Sequence, residues 1–251
     1  MKHWLVIAAT LSLVACGGED GEYESQPFRV PITPGAGTSP GGGGPVTGSG
    51  LWLDSSSGGT DLVALVTEEG DFMMYSSLEN GGIRDFFGDG GFTGNTVTAS
   101  ANTYFNFAAS SSATLQGTIV EGMTITGSYT AGGAAQAFTL NYFGDLYERA
   151  ASLATLADMY SDFDGTVVTV QTNGTLAVTL EGGCTIAGAV TVPHSDRNYY
   201  RFTGTLSNCA PDNGSISGYM YLMDSATTND TVALIGQTDA RTRSVYAEAL
   251  R

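Results

Sequence analysis

Lysine is all but missing from this chain, with Lys2 the only one in 251 residues. Histidine is nearly as scarce, with His3 and His194 alone. Charged residues make up 14% of the chain, so a folded surface has to be built largely from Ser, Thr, Asn and Gly. These shortages exclude chemistry. With no lysine past position 2 there is no Schiff-base nucleophile and no P-loop lysine, and no G-x-G-x-x-G opens a helix after a strand. One histidine beyond the N-terminus cannot build the usual His-rich zinc site. His194-Ser195-Asp196 does hold the three residue types of a hydrolase triad. Sequence neighbours rarely reach triad geometry, because the base must lie between groups brought from separate elements. The tripeptide reads as a polar hairpin loop, and the chain as a non-enzyme with no cofactor and no metal ligand. Carboxylate-only chemistry escapes this argument, but no spacing singles out a pair among the 25 acidic residues.

The shortage of cations leaves a formal charge of −16. Such acidity favours solubility and argues against nucleic acid or an anionic lipid face as partner. Two acidic stretches, Asp85-Phe86-Phe87-Gly88-Asp89-Gly90-Gly91 and Asp162-Phe163-Asp164-Gly165, could offer oxygen ligands to calcium. Neither has the spacing of an EF-hand loop, and Asp-Gly is first a turn signal, so both are expected as turns.

The three cysteines separate by context. Cys16 follows Leu13-Val14-Ala15 at the end of an 11-residue apolar run, Trp4 to Val14, that starts just after Lys2. A spanning helix needs about 20 apolar residues, so the run is too short to cross a membrane. Its layout is that of a lipoprotein signal, which makes Cys16 the lipidated first residue of the mature chain. Gly17, rather than Asp, follows the cysteine. By resemblance to enteric lipoproteins this implies the outer membrane, reached through the lipid anchor. The two remaining cysteines, Cys184 and Cys209, are expected to pair, as leftover cysteines of exported proteins most often do. They flank two strand-like runs joined by Pro193 to Asn198. With the turn centred between Asp196 and Arg197, they would lie opposite each other.

Residues 1–15 thus read as a signal peptide and 16–49 as a Gly- and Pro-rich tether with a coil reach of roughly 30 Å. From Leu51 onward the pattern is strand, turn, strand. Asn173-Gly174 between alternating β-formers is a strong hairpin signal, and Glu69-Gly70-Asp71 sits between strands in the same manner. The order of parts then repeats: Tyr104-Phe105-Asn106-Phe107 against Tyr199-Tyr200-Arg201-Phe202, Met123 to Gly127 against Gly214 to Gly218, and Ala137 to Leu140 against Thr231 to Leu234. The expected fold is all-β, with two small up-and-down antiparallel barrels of about eight strands in tandem, residues 50–144 and 159–251. A short helical connector over 145–158 joins them. A two-sheet sandwich and one 16-stranded membrane barrel are the alternatives.

The run Tyr147-Glu148-Arg149, Ser152 to Ala157, Gly183-Cys184, Gly188, Asn198-Tyr199-Tyr200, Cys209 and Gly214 to Gly218 resembles a set of proteobacterial lipoproteins. That likeness implies no activity. In plan, the anchor, tether and two β lobes are similar to surface lipoproteins of the factor H-binding and transferrin-binding type. Gly50-Leu51-Trp52 is also similar to the G-x-W of lipocalins, where Trp closes a barrel. The function expected is a non-enzymatic binding or envelope-interaction module whose partner is a protein or a small apolar ligand. A carrier of that apolar ligand and a small-barrel protease inhibitor are the alternatives. Cys16→Ser is predicted to abolish acylation and leave the precursor unprocessed, which mass spectrometry of the N-terminal peptide checks directly.

Overall fold

The computed structural model describes residues 48–54, 62–77 and 83–251. The expected signal peptide, Cys16 and the expected tether before Gly48 lie outside the described residues.

Alternation of apolar and polar residues over short runs, split by Gly and Asn turns, produces meandering antiparallel strands. The first eight are β1 (Gly50–Asp54), β2 (Leu62–Val66), β3 (Asp71–Ser77), β4 (Ile83–Thr93), β5 (Thr96–Phe105), β6 (Ala108–Val120), β7 (Thr124–Ala131) and β8 (Ala134–Tyr142). Each pairs with the next, and β1 closes on β8 through Trp52↔Tyr142, Leu53↔Asn141 and Asp54↔Leu140. The connector holds two four-residue helices, α1 (Gly144–Tyr147) and α2 (Leu153–Leu156). The second barrel follows with β9 (Asp158–Ser161), β10 (Val167–Val170), β11 (Thr175–Thr179), β12 (Thr185–Thr191), β13 (Tyr200–Ser207), β14 (Gly214–Met223), β15 (Thr231–Thr238) and β16 (Ser244–Leu250). Its seam is thin, a single pair Leu250↔Ser161. Arg251 reinforces it with a 3.1 Å ion pair to Asp158, and its guanidinium lies 5.3 Å from the centre of the Tyr160 ring. Closure leaves neither barrel an open sheet edge.

The fold is therefore all-β, with two eight-stranded closed barrels in the same strand order. Trp52, Phe72, Phe86, Tyr129 and Phe138 fill the first barrel. Tyr160, Tyr200, Phe202, Leu206 and Met220 fill the second. The repeat is real in topology, but several expected correspondences are corrected. The Gly70 and Gly174 turns do match, each joining the second and third strands of its barrel with φ of 88° and 85°. Both are three-residue loops ending in a left-handed glycine. Tyr104 and Tyr199, however, lie at opposite ends of equivalent strands: Tyr104 near the end of β5, Tyr199 just before β13. Met123 to Gly127 belongs to the seventh strand of its barrel and Gly214 to Gly218 to the sixth; Ala137 to Leu140 and Thr231 to Leu234 are offset in the same way. Generic Thr-Gly-Ser alternation is self-similar, so it aligns equally well one strand out of step.

The stretch from Asp85 to Gly91 is also corrected, since it lies within the 11-residue strand β4 rather than in a turn. Its glycines serve close strand approach: a Cβ on Gly88 would come 1.9 Å from the Ser100 carbonyl oxygen. Asp162 to Gly165 does form a turn. The Asp162 carboxylate accepts from the Asp164 and Thr166 amides at 2.9 and 2.7 Å, and Gly165 has φ of 90°.

Cys184 and Cys209 form a disulfide with Cα atoms 5.0 Å apart. The register differs from the expected one by one residue. Thr185 pairs Ser207, which places Asn208 rather than Cys209 opposite Cys184. Asn208, at φ of 59°, bends the chain so that Cys209 reaches back to Cys184. Closing this 25-residue separation stabilises by about 3.5 kcal/mol in the chain-entropy model. Replacing both cysteines by serine is predicted to lower stability by roughly that amount in denaturant unfolding.

Candidate functional site

Two faces of the molecule carry chemistry, and both follow from how strands are buried. Most strands of the first barrel from β5 onward alternate, as the exposed–buried pattern of Thr96–Phe105 illustrates. Strands β1 to β3 do not: Leu62-Val63-Ala64-Leu65-Val66 and Phe72-Met73-Met74-Tyr75 are apolar on both faces. The same holds for Tyr219 to Met223 and Val232 to Ile235. The second face of each is buried in a third apolar cluster between the barrels, formed by Leu51, Leu65, Met73, Phe87, Tyr104, Leu146, Tyr147, Tyr199, Tyr219, Tyr221, Ala233 and Ile235. Tyr75 stacks on Tyr246 across it at 4.0 Å between ring centres. A backbone bridge, Ala108↔Arg243, joins the barrels directly, with Ala109 donating to the Thr242 carbonyl and Ser244 to the Phe107 carbonyl.

A polar clasp lines this junction. The β2–β3 loop presents Glu68 and Glu69, and the β12–β13 loop presents His194, Arg197 and Tyr199. The second loop is pinned from two sides. The Asn198 amide donates to the Leu222 carbonyl at 2.7 Å and accepts from the Leu222 amide at 3.2 Å, while the Asn198 backbone donates to Tyr147. Arg197 donates to Glu68 Oε1 at 3.0 Å, and the Tyr199 hydroxyl donates to Glu68 Oε2 at 2.8 Å. That hydroxyl also lies 3.2 Å from Glu69 Oε2, and His194 Nε2 lies 2.9 Å from Glu69 Oε1. Tyr219 donates to Asp71 close by. Burial, then the Glu68 carboxylate, pushes the Tyr199 hydroxyl well above its ordinary pKa. Burial alone would raise the Glu69 carboxyl, but hydrogen bonds, that of His194 foremost, outweigh it and leave Glu69 below its ordinary value.

His194 thus faces Glu69 rather than Ser195 or Asp196, so no triad is assembled by its tripeptide. One nitrogen of His194 and one oxygen each of Glu68 and Glu69 lie within 4.8 Å of one another, a donor set that could hold a metal ion. Sequence reasoning missed it because Glu69 and His194 are 125 residues apart. The available signal was the matching glycine turn that carries both glutamates.

Asp85 also lies at the junction, fully buried at 0% exposure, with Ser244 of the second barrel donating to its Oδ2 at 2.5 Å. Its Oδ1 has no partner. Burial raises its pKa to about 7.

The second face is the outer side of β5 to β8. Those four strands contain no charged residue. Register pairing puts Thr96, Thr118, Thr126 and Thr139 in one rank across them, with Thr98, Gln116, Ser128 and Ala137 in the next. Thr96, Thr98, Gln116, Thr118, Thr126 and Ser128 form an open, nearly flat patch on β5 to β7. Inward-facing Gly117 and Gly127 let the two strands approach: a Cβ on Gly127 would sit 2.2 Å from the Gln116 carbonyl oxygen. No protein-family model, no curated protein and no solved structure matches the chain.

Asp85 generates a pH prediction. Its folded pKa lies above the carboxyl value of an unfolded chain, so the folded state holds this proton more tightly. The resulting stability is complete below about pH 4 and is lost as pH rises through about 7. Asp85→Asn keeps an acceptor for Ser244 and cannot ionise. Relative to wild type it is predicted to be more stable at pH 8 than at pH 4 by on the order of 3 kcal/mol, read from urea unfolding at both values.

Proposed function

We propose that this protein is a lipid-anchored, non-enzymatic binding module of the bacterial outer membrane, and that the uncharged outer face of β5 to β8 is its recognition surface. The anchor reading rests on Leu13-Val14-Ala15-Cys16. The binding reading rests on one observation above all: an open hydroxyl- and amide-lined patch on β5 to β7, within a run of four strands that carries no charge. Thr, Ser and Gln each donate and accept hydrogen bonds, and threonine methyls add apolar contact. Such a surface suits a neutral, polyhydroxylated polymer such as an uncharged glycan, recognised partly through bridging water. It offers no opposite charge to an anionic or cationic ligand.

The carrier alternative needs a chamber. The barrel interiors are instead filled by side chains, and the apolar space among Val63, Met73, Tyr221 and Tyr246 is about 10 Å³, room for a water at most.

Binding to immobilised neutral and charged envelope polysaccharides tests the proposal. Wild type should retain the neutral polymers selectively. Thr98→Glu with Thr126→Glu should weaken that retention at least tenfold while changing stability little, since both positions are exposed. The same change at exposed Thr175 and Thr179 of the second barrel should leave binding intact. Retention of charged polymers only, or equal binding by both double variants, would count against the assignment.

A further inference from the structure

We propose that Glu68, Glu69 and His194 form a site for a zinc-type divalent ion that ties the two barrels together. The donor set is one imidazole nitrogen and two carboxylate oxygens, with their atoms within 4.8 Å of one another. Zinc takes such ligands at about 2.0–2.2 Å, so a tetrahedral ion holds them roughly 3.3 Å apart. His194 Nε2 and Glu69 Oε1 are already 2.9 Å apart and need to open only slightly to admit the ion between them. His194 and Glu69 are partly exposed at loop tips and Glu68 is more buried, so small rotations of the first two suffice.

The surroundings favour a cation. Glu68 accepts from Arg197 on Oε1 and from the Tyr199 hydroxyl on Oε2, so two donors set the carboxylate's orientation, as outer partners do at metal sites, and the second lone pair of Oε2 is the one that would face the ion. Against that one arginine stand Glu68, Glu69 and, through Tyr219, Asp71. An independent observation points the same way. The Tyr147 hydroxyl is buried, 2% exposed for the whole residue, and has no partner at hydrogen-bonding geometry. It lies near enough to Glu68 for that charge to act on it, and its ring stacks on Tyr199 within 5° of parallel. Glu68 and Ser49 flank this hydroxyl, so it faces one of the carboxylates that would hold the ion. A nitrogen ligand selects zinc and its transition-metal neighbours over calcium and magnesium, which prefer oxygen alone.

The test titrates the full purified chain with zinc chloride by calorimetry at neutral pH. One equivalent should bind, calcium chloride should give no heat at the same concentration, and His194→Gln and Glu69→Gln should each weaken binding at least tenfold. Zinc at 100 times its Kd should lift the thermal midpoint by about 5 °C or more. X-ray absorption of the wild-type complex should report oxygen and nitrogen neighbours with a single imidazole, a readout that needs no variant to fold. Absence of binding below about 100 μM, a Kd weaker than about −5.5 kcal/mol of binding energy, would overturn the site. So would His194→Gln binding as wild type does, or an ion ligated by sulfur or by oxygen alone.

Discussion

Burial of both faces of a few strands is the constraint on which the molecule depends. A closed barrel needs only its inner face to be apolar. Here β1 to β3, β14 and β15 carry apolar residues outside as well, and those outer faces meet in the twelve-residue cluster around Tyr104, Tyr199 and Tyr219. Full burial of a large apolar side chain stabilises by about 1.5–3 kcal/mol. Partly exposed ion pairs such as Arg197–Glu68 and His194–Glu69 contribute about 0–1 kcal/mol each. The apolar cluster therefore holds the barrels together, and the clasp determines their registration rather than their affinity.

Asp85 shows how that registration is purchased. A carboxylate at the centre of the junction, with only Ser244 as donor, is costly when ionised. The Asn106–Phe107 turn carries a similar strain: both residues have positive φ, 46° and 68°, where a glycine would normally stand. Its carbonyl at Phe107 receives the Ser244 amide of the second barrel, so the unusual backbone lies where the two barrels exchange hydrogen bonds.

Much of the architecture was legible in the residues. Alternation at Thr175–Thr179, the glycine turns at Gly70 and Gly174 and the cysteines flanking one hairpin all speak locally, within a few residues. What could not be read was anything that depends on two distant segments meeting. Glu68 and Glu69 looked like ordinary turn acids, and His194 like a loop histidine. Asp85 looked like a turn residue because it shares a short stretch with Asp89-Gly90, and Asp-Gly in isolation is a turn signal; only the close pairing of Gly88 with β5 makes the stretch a strand. The apolar run Leu62–Val66 was the overlooked clue, since five consecutive apolar residues in a barrel strand demand a neighbour on the outside.

Closure of the first barrel has a mechanical meaning. The chain enters the fold at Gly50, and β1 is flanked by β2 through four residue pairs and by β8 through three. A pull transmitted from the N-terminal side thus loads two hydrogen-bond ladders at once, along the strand axis, in shear. An edge strand would peel away one bond at a time. The outward side chain of Leu51 on this strand is also buried in the apolar cluster between the barrels. Whatever drags on the leading segment meets the combined resistance of both barrels, not that of a single terminal strand.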